Sequence, residues 1–429
     1  MAISFPTNPQ IGDVYNSGNM SYQWDGTSWA ATGASVDLTP KSLGEVATSF
    51  DQSNTALIIA NTANTTAANV QFRRVSTIAE LKTLTPIANM TVQVDGYYTK
   101  GDGGGGKFWG NTTTGTHTDD GGLVLTSNVT GGTASSSWRR IVDDIINVKW
   151  FGAKGDGVTD DTKPLQNATN SFVTTAGNQY PNESRQFYYP KGRYLISAPI
   201  RIYSGQNHFG DGYASAIAYS NSFTGNGMFE LSGTPGVAYY NEGSIDRLSF
   251  TGPNGAGTPS TNTSNMWAIY ANTNIIQNSK FTNLGFTTRY GFCIPSWSYG
   301  QDLIISKIYC NNVMEQAIKI KANQALIEDV DVEQNSGPIP TNDNPCIELD
   351  TCHNSFVRGC IVEGASAYST KPAIGANNSQ FTIEDCWYEW YGAAEFLRAA
   401  NNCVIHTRGG LDRKSTRLNS SHLGISYAV

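Results

Sequence analysis

The sequence predicts a mainly β chain whose larger part is a parallel β-helix, preceded by small N-terminal β/α modules. Three observations predict it. Charged residues make up only 15% of the 429 positions, against roughly 25% in an ordinary soluble domain. Glycine (44 residues), Asn, Thr and Ser stand in their place beside 21 Tyr and 9 Trp, a mixture that favours strands and turns over surface helices. After residue 240 the chain becomes a degenerate repeat: aligning Leu248, Phe281, Ile308, Val330, Cys360 and Cys386 gives steps of 33, 27, 22, 30 and 26 residues. Each lies in a short β-prone run, as in Asp329-Val-Asp-Val332, Gly359-Cys-Ile-Val362 and Asp385-Cys-Trp-Tyr388. One coil per step is the pattern of a β-solenoid.

Composition also sets exclusions. With 39% hydrophobic and 11% aromatic residues the chain is not disordered. A net charge of −7 without clustered Lys and Arg argues against nucleic acid. The most apolar stretch, near Ala56–Ala60, is far short of the roughly 18 residues of a membrane span, so no membrane insertion is expected. The first residues lack the basic and then apolar regions of a secretory signal. Seven Cys, all after residue 290, have no close Cys/His ligand spacing and are expected as buried, reduced thiols, with Cys360 and Cys386 stacked in the core. No metal or other cofactor is expected.

Residues 1–35 carry two short aromatic runs, Met20-Ser-Tyr-Gln-Trp24 and the segment ending in Trp29, around the turn signal Asp25-Gly26. They read as a small β-hairpin module. Residues 36–72 place Leu43, Val46, Phe50, Leu57, Ala60 and Ala67 near heptad spacing, interrupted by Ser53 and Asn64, which fits a linker or a short coiled coil. In residues 73–146, Thr77-Ile-Ala-Glu80 is a capping box for a helix that Pro86 closes, and Val92–Val94 and Gly96–Tyr98 read as strands. Gly101–Lys107 fits the first seven positions of a phosphate-binding loop, but Phe108 occupies the place of the magnesium-binding Ser or Thr, so nucleotide binding is not expected.

Residues 147–411 form the predicted β-helix. Val148 and Trp150 alternate on one strand face, and Asp160 or Asp161 caps a helix carrying Leu165, Ala168 and Phe172 up to Gly177. That amphipathic helix would cover the open end of the solenoid. The acidic triplet Asp156, Asp160 and Asp161 lacks the spacing and final Glu of a calcium loop and is read as turns and caps.

Several of these motifs resemble known families. The N-terminal module is similar to short units that attach phage tail proteins to the virion. Ser76–Glu80, Gly96–Tyr98, Gly101–Gly106, Asp119–Gly122 and Trp138–Ile141 resemble, in order and spacing, the domain preceding the β-helix of phage tailspikes. Ile146-Asn-Val-Lys-Trp-Phe-Gly-Ala-Lys-Gly-Asp-Gly-Val-Thr-Asp-Asp161, followed by Phe187–Ser197, Pro199–Ile202 and Gly210–Gly212, resembles the pectate lyase superfamily of tailspike and rhamnogalacturonase/epimerase-like proteins. The resemblance implies a right-handed, single-stranded, pectin lyase-like parallel β-helix that acts on polysaccharide. Residues 412–429 resemble instead the in-frame translation of a short-read sequencing adapter, with Leu423-Gly424 from its index. They are set aside as an artefact, and the native sequence is expected to be cut short near Leu411, leaving the β-helix truncated at its C-terminal end.

The repeat nominates a site. Glu333, Glu363 and Glu389 fall three positions after the core residue in three consecutive coils. Parallel strands lie about 4.8 Å apart, so these carboxylates would form a column, and paired carboxylates are what glycoside hydrolysis requires. Trp387, Trp390 and Tyr391 lie beside it and could stack on sugar rings. Asp329, Asp331 and Asp385 compete for the same role, and coil-edge placement of the whole ladder is the plain alternative. A lyase would need a base such as Lys319, Lys321 or Arg358. His208, His353 and His406 are scattered. The motif sets of polygalacturonases and of pectate lyases with Trp-x-Asp-His are absent, so the resemblance carries fold further than activity.

The expected function is a phage tailspike or tail-fibre subunit that binds host cell-surface polysaccharide, with depolymerisation by glycosidase or lyase chemistry left open. A non-catalytic structural or receptor-binding fibre and a secreted bacterial polysaccharide-degrading enzyme are the alternatives. Expected partners are the polysaccharide, a virion tail or baseplate protein through the N-terminus, and like chains in a homotrimer. The expected location is the virion tail, acting at the host surface.

Overall fold

The fold was analysed in a computed structural model. It describes residues 3–18, 20–33, 52, 55, 73–113, 117–129, 136–171, 185–233, 239–253, 266–311, 313, 315–334, 343–364, 371–390, 396–408 and 412–413. The linker or coiled-coil reading of 36–72, save two single positions, and the adapter-like tail beyond Arg413 lie outside the described residues.

The chain divides into two compact units, residues 1–71 and 72–429. In the first, Val14–Ser17, Met20–Trp24 and Trp29–Gly33 form a three-stranded antiparallel sheet, one strand more than the hairpin expected. Asp25 builds the tight turn by accepting from the backbone N–H groups of Thr27 (2.8 Å) and Ser28 (2.7 Å). Phe5 stacks on Trp29 at 5.3 Å and meets the edges of Tyr15 and Tyr22, supplying an aromatic cluster to a unit too small for a larger core.

The second unit begins with a five-stranded sheet in the order 73–77, 91–96, 106–111, 137–140, 124–126. Its helix, Ile78–Lys82, is capped as the sequence predicts at one end of the box, Thr77 Oγ1 accepting from Glu80 N at 3.1 Å. Asp102 organises the glycine loop from within, accepting the N–H groups of Tyr97, Tyr98, Thr99 and Gly104 at 2.7–3.0 Å, while Gly101 N donates to Asp95 O at 3.1 Å, so Tyr97 and Tyr98 leave the strand and turn.

From Ile145 the chain winds into the parallel β-helix. A complete coil gives three strands, such as Gln206–Gly210, Ser215–Tyr219 and Gly227–Ser232, on a first, second and third face. The last complete coil gives Gln380–Glu384, Trp387–Trp390 and Leu397–Ala400. Pairing between coils is parallel on all three faces. One left-handed residue bends the chain from the first face to the second in each of six consecutive coils: Arg247, Asn283, Lys307, Asp329, Gly359 and Asp385, with φ of 47–59°. Non-glycine residues pay a steric penalty there, least for Asn and Asp, and such residues take half of these corners.

The residues just after the corner, Leu248, Leu284, Ile308, Val330, Cys360 and Cys386, form one buried column. Phe281 is therefore a misalignment: it pairs with Ile245 and Ile305 on the first face, three residues before the true core position Leu284. The corrected steps are 36, 24, 22, 30 and 26 residues. Two positions on lies a second column, Phe250, Phe286, Cys310, Val332, Val362 and Tyr388. All seven cysteines are buried with free thiols.

At the open end the structure departs from the expected strand. Ile145–Asn147 is the strand, and Val148–Phe151 is a 3₁₀ turn. Asn147 Oδ1 caps it by accepting from Lys149 N at 2.9 Å, and Gly152 closes it at φ 90°. The helix Thr162–Asn170 turns Leu165 and Ala168 onto the first coil, while Phe172 lies outside the described residues. Asp161 stands at the N-cap of this helix without a side-chain cap bond, and Asp160, one residue earlier, accepts from Thr162 N at 2.9 Å. Asp161 points the other way and takes the N–H groups of Lys154 and Gly155 at 2.7 and 2.9 Å. Asp156 makes an Asx turn onto Val158 and Thr159.

Burial pushes the Asp161 carboxyl up to about 6. Because that lies above the unfolded value of about 3.9, the native state holds the extra proton between the two values, and stability falls as pH rises through this window. Asp161→Asn is expected to flatten the slope, measured by urea unfolding at about pH 4.5 and about pH 7. Equal slopes in variant and wild type would contradict this.

Candidate active site

The outward side of the second face carries the polar chemistry. Strand pleating puts alternate residues on it, and two rows run from coil to coil. The first reads Ser249, Gly285, Tyr309, Asp331, Ile361 and Trp387. The second continues from Thr251 and Thr287 to Asn311, Glu333, Glu363 and Glu389. Glu333 pairs directly with Glu363, and Glu363 with Glu389. The three carboxylates nominated from sequence are thus brought into one row, at the strand spacing of about 4.8 Å.

Asp331 is the group whose electrostatics stand out. It lies two residues before Glu333 on the same strand face, and its Oδ1 is buried without a hydrogen-bond partner. Burial, and then the charges of Glu333 and Glu363, push its carboxyl up to about 6. Glu333 is held: the Tyr309 hydroxyl donates to its Oε2 at 2.9 Å and itself accepts from Asn311 Nδ2 at 3.0 Å. One protonatable carboxyl beside one fixed carboxylate is the pairing that acid–base cleavage of a glycosidic bond uses.

Of the other nominated residues, one joins this face. Trp387 shares the carboxylate face, two positions before Glu389. Trp390 pairs with Gly364 through its backbone; its side chain and Tyr391 lie outside the described residues. Asp329 and Asp385 occupy exposed left-handed corners, off the strand face that holds Asp331. Lys319 pairs with Glu348 at 3.2 Å on the third face. Lys321 donates to Ser296 O at 2.8 Å, and Arg358 holds Glu328 at 2.5 Å on the first face. His208 is buried against Phe187 and hydrogen-bonded to Tyr189 Oη, and burial pushes its imidazole down to about 3. It is part of the core.

Next to the carboxylates, on the same face, is a cavity of about 470 Å³ lined by residues that include Arg193, Tyr213, Gly285, Tyr309 and Asn311. Tyr213 comes from the short turn Gly212–Ala214 and meets Tyr309 edge to face at 6.2 Å. Sequence reading missed Tyr213, Tyr309 and Asn311. A signal existed for Asn311, which stands three positions after the core residue Ile308, the same offset as the glutamates.

Residues 145–389 match the family described as Rhamnogalacturonase A/epimerase, pectate lyase-like. Residues 74–143 match the phage tail protein small four-stranded beta-sheet domain. Among solved structures, the fold is similar to the Acinetobacter phage vb_AbaP_AS12 gp42 tailspike, with a TM-score of 0.60, 14% identity, and 83% of this chain and 60% of that one covered. The enzymatically active domain of tailspike protein 2 from Bacteriophage CBA120 gives a TM-score of 0.54 at 18% identity, covering 83% and 55%. WceF of Pantoea stewartii, described as a glycan biofilm modifying enzyme with a tailspike-like parallel beta-helix fold, gives 0.54 at 16% identity, covering 83% and 50%. The chain thus spans little more than half the length of these proteins. The non-secreted LysM effector LysM19 of Penicillium expansum is 37% identical over 79 residues, 18% of this chain and 6% of that protein.

Proposed function

Because the chain belongs to the Rhamnogalacturonase A/epimerase, pectate lyase-like family, we propose that its β-helix binds host cell-surface polysaccharide and cuts it by glycoside hydrolysis, as part of a phage tailspike. The observation that carries the reading is the juxtaposition of Asp331, with its buried unpartnered oxygen, and the row Glu333–Glu363–Glu389. The phage tail domain ahead of the helix supports a place in the virion tail. Attachment through the N-terminal module and assembly as a homotrimer belong to the same proposal.

In the proposed reaction Asp331, protonated, gives its proton to the leaving glycosidic oxygen. Glu333, oriented by Tyr309, takes a proton from the water that adds to the sugar carbon, so one C–O bond breaks and one forms. Glu363 on the neighbouring strand helps keep the proton on Asp331 by like-charge repulsion. Hydrolysis is favoured over elimination by the pairing of Asp331 with Glu333, and the three bases named from sequence, Lys319, Lys321 and Arg358, are engaged away from the carboxylate rows.

The test is the pH dependence of chain shortening in purified capsular polysaccharides and lipopolysaccharide O-chains, read by reducing-end formation. An acid that must keep its proton loses activity as pH rises, so kcat/KM is expected to fall through about 6, where Asp331 ionises. A 4,5-unsaturated sugar absorbance accompanying the new ends would instead establish elimination.

A further inference from the structure

The cavity beside the carboxylates is not needed to explain the acid–base pair, yet it opens onto the same face and shares Tyr309 and Asn311 with it. Its floor is made possible by a missing side chain. A Cβ at Gly285 would lie 2.3 Å from Tyr213 Cε1, so glycine lets the phenol ring lie down on the sheet. Tyr213 remains 65% exposed there, unusual for a large ring fixed against a glycine, and its free surface borders the cavity. Arg193 also lines the cavity, fixed by donating to the carbonyls of Gly252 and Pro253 at 2.6 and 2.7 Å. An exposed aromatic ring bordered by hydroxyl, amide and guanidinium groups matches the two sides of a pyranose, whose C–H surface stacks and whose rim hydroxyls need polar neighbours.

We propose that this cavity is a saccharide-ring subsite of the same groove, with Tyr213 as its stacking platform. This rests on the polysaccharide reading above. Gly285 and Asp331 occupy the same row two strands apart, roughly 10 Å. A chain occupying both therefore runs along the solenoid axis. Ring stacking in the cavity also acts on the distant bond, since remote binding contributes to holding the reacting bond at the acid. Oligosaccharides too short to reach Tyr213 then lose kcat as well as affinity.

The experiment uses the full chain carrying Asp331→Asn, so that bound polymer persists, and size-fractionated oligosaccharides made by mild acid hydrolysis of whichever capsular polysaccharide or O-chain the wild type binds. Calorimetry is run on this background, on it with Tyr213→Ala, and on it with Gly285→Ala, which keeps the tyrosine but displaces its ring. Both added changes are expected to weaken long fragments about tenfold and leave the shortest ones unaffected. Long fragments bound equally by all three proteins would overturn the subsite and leave the hydrolytic reading standing. Binding of no polysaccharide or fragment by the wild type would overturn the polysaccharide reading itself, and the subsite with it.

Discussion

Asp331→Asn is expected to slow polysaccharide cleavage by about 10²–10⁴-fold, the usual contribution of a positioned general acid, while affinity for the intact polymer changes little. Asparagine keeps the shape of the side chain and removes the transferable proton. The position tolerates it, because Oδ1 makes no hydrogen bond that the amide would break. Glu333→Gln should fall in the same range, since it removes the carboxylate that Tyr309 orients. Glu363→Gln is expected to act more mildly and through pH: without its charge the Asp331 carboxyl loses one of the causes holding it at about 6, so the falling limb of the profile moves to lower pH. Glu389, two strands from Glu333, should matter least of the three.

The second large effect is on stability. Arg140→Met is expected to destabilise the chain by on the order of 3–5 kcal/mol, because three carbonyls would be left buried without donors. The guanidinium donates from Nε to Gly122 O at 2.9 Å, from Nη1 to Gly105 O at 2.6 Å and from Nη2 to Gly104 O at 3.0 Å. It lies over the rings of Phe108 and Trp150 at 4.4 and 4.9 Å. One buried side chain thereby ties the glycine loop and the small sheet to the turn that opens the solenoid. Arg140→Lys should recover little, since a point charge cannot reproduce the planar fork. Urea unfolding followed by tryptophan emission measures both, with Trp150 in contact with the altered residue. Wild-type stability in Arg140→Met would contradict this account of the junction.

What could be read from sequence followed the physics of the repeat. In the three late coils the offset from Val330, Cys360 and Cys386 suggests Glu333, Glu363 and Glu389 in one register, and the structure pairs them. One coil earlier the hydrophobic pattern misleads. Phe281 and Leu284 both point into the core from different faces, and the true mark of register is the left-handed residue between faces, Asn283, which leaves no hydrophobic trace. Choosing Leu284 would have extended the row through Thr287 and Asn311 and drawn attention to Tyr309. Tyr213 could not have been found this way. It reaches the site from a turn in another coil, and only the bare Gly285 beneath it admits the ring. The upward push on the Asp331 carboxyl likewise depends on burial and then on the charges of Glu333 and Glu363, and burial is not a sequence property.

The turn at Val148–Phe151 has a similar lesson. Alternation of Val148 and Trp150 suits a strand, but the Asn147 cap and the left-handed Gly152 terminate a 3₁₀ turn. Local side-chain-to-backbone bonds outweighed the two-residue period.

The central claim, that the outward second face cuts polysaccharide, is tested most directly by size-exclusion chromatography of a bound capsular polysaccharide after incubation with wild type and with Asp331→Asn/Glu333→Gln. The expected result is progressive conversion to oligosaccharides by the wild type and an unshifted polymer peak with the variant, whose unfolding midpoint is no lower than that of the wild type. Equal shortening of the polymer by both proteins would contradict the assignment.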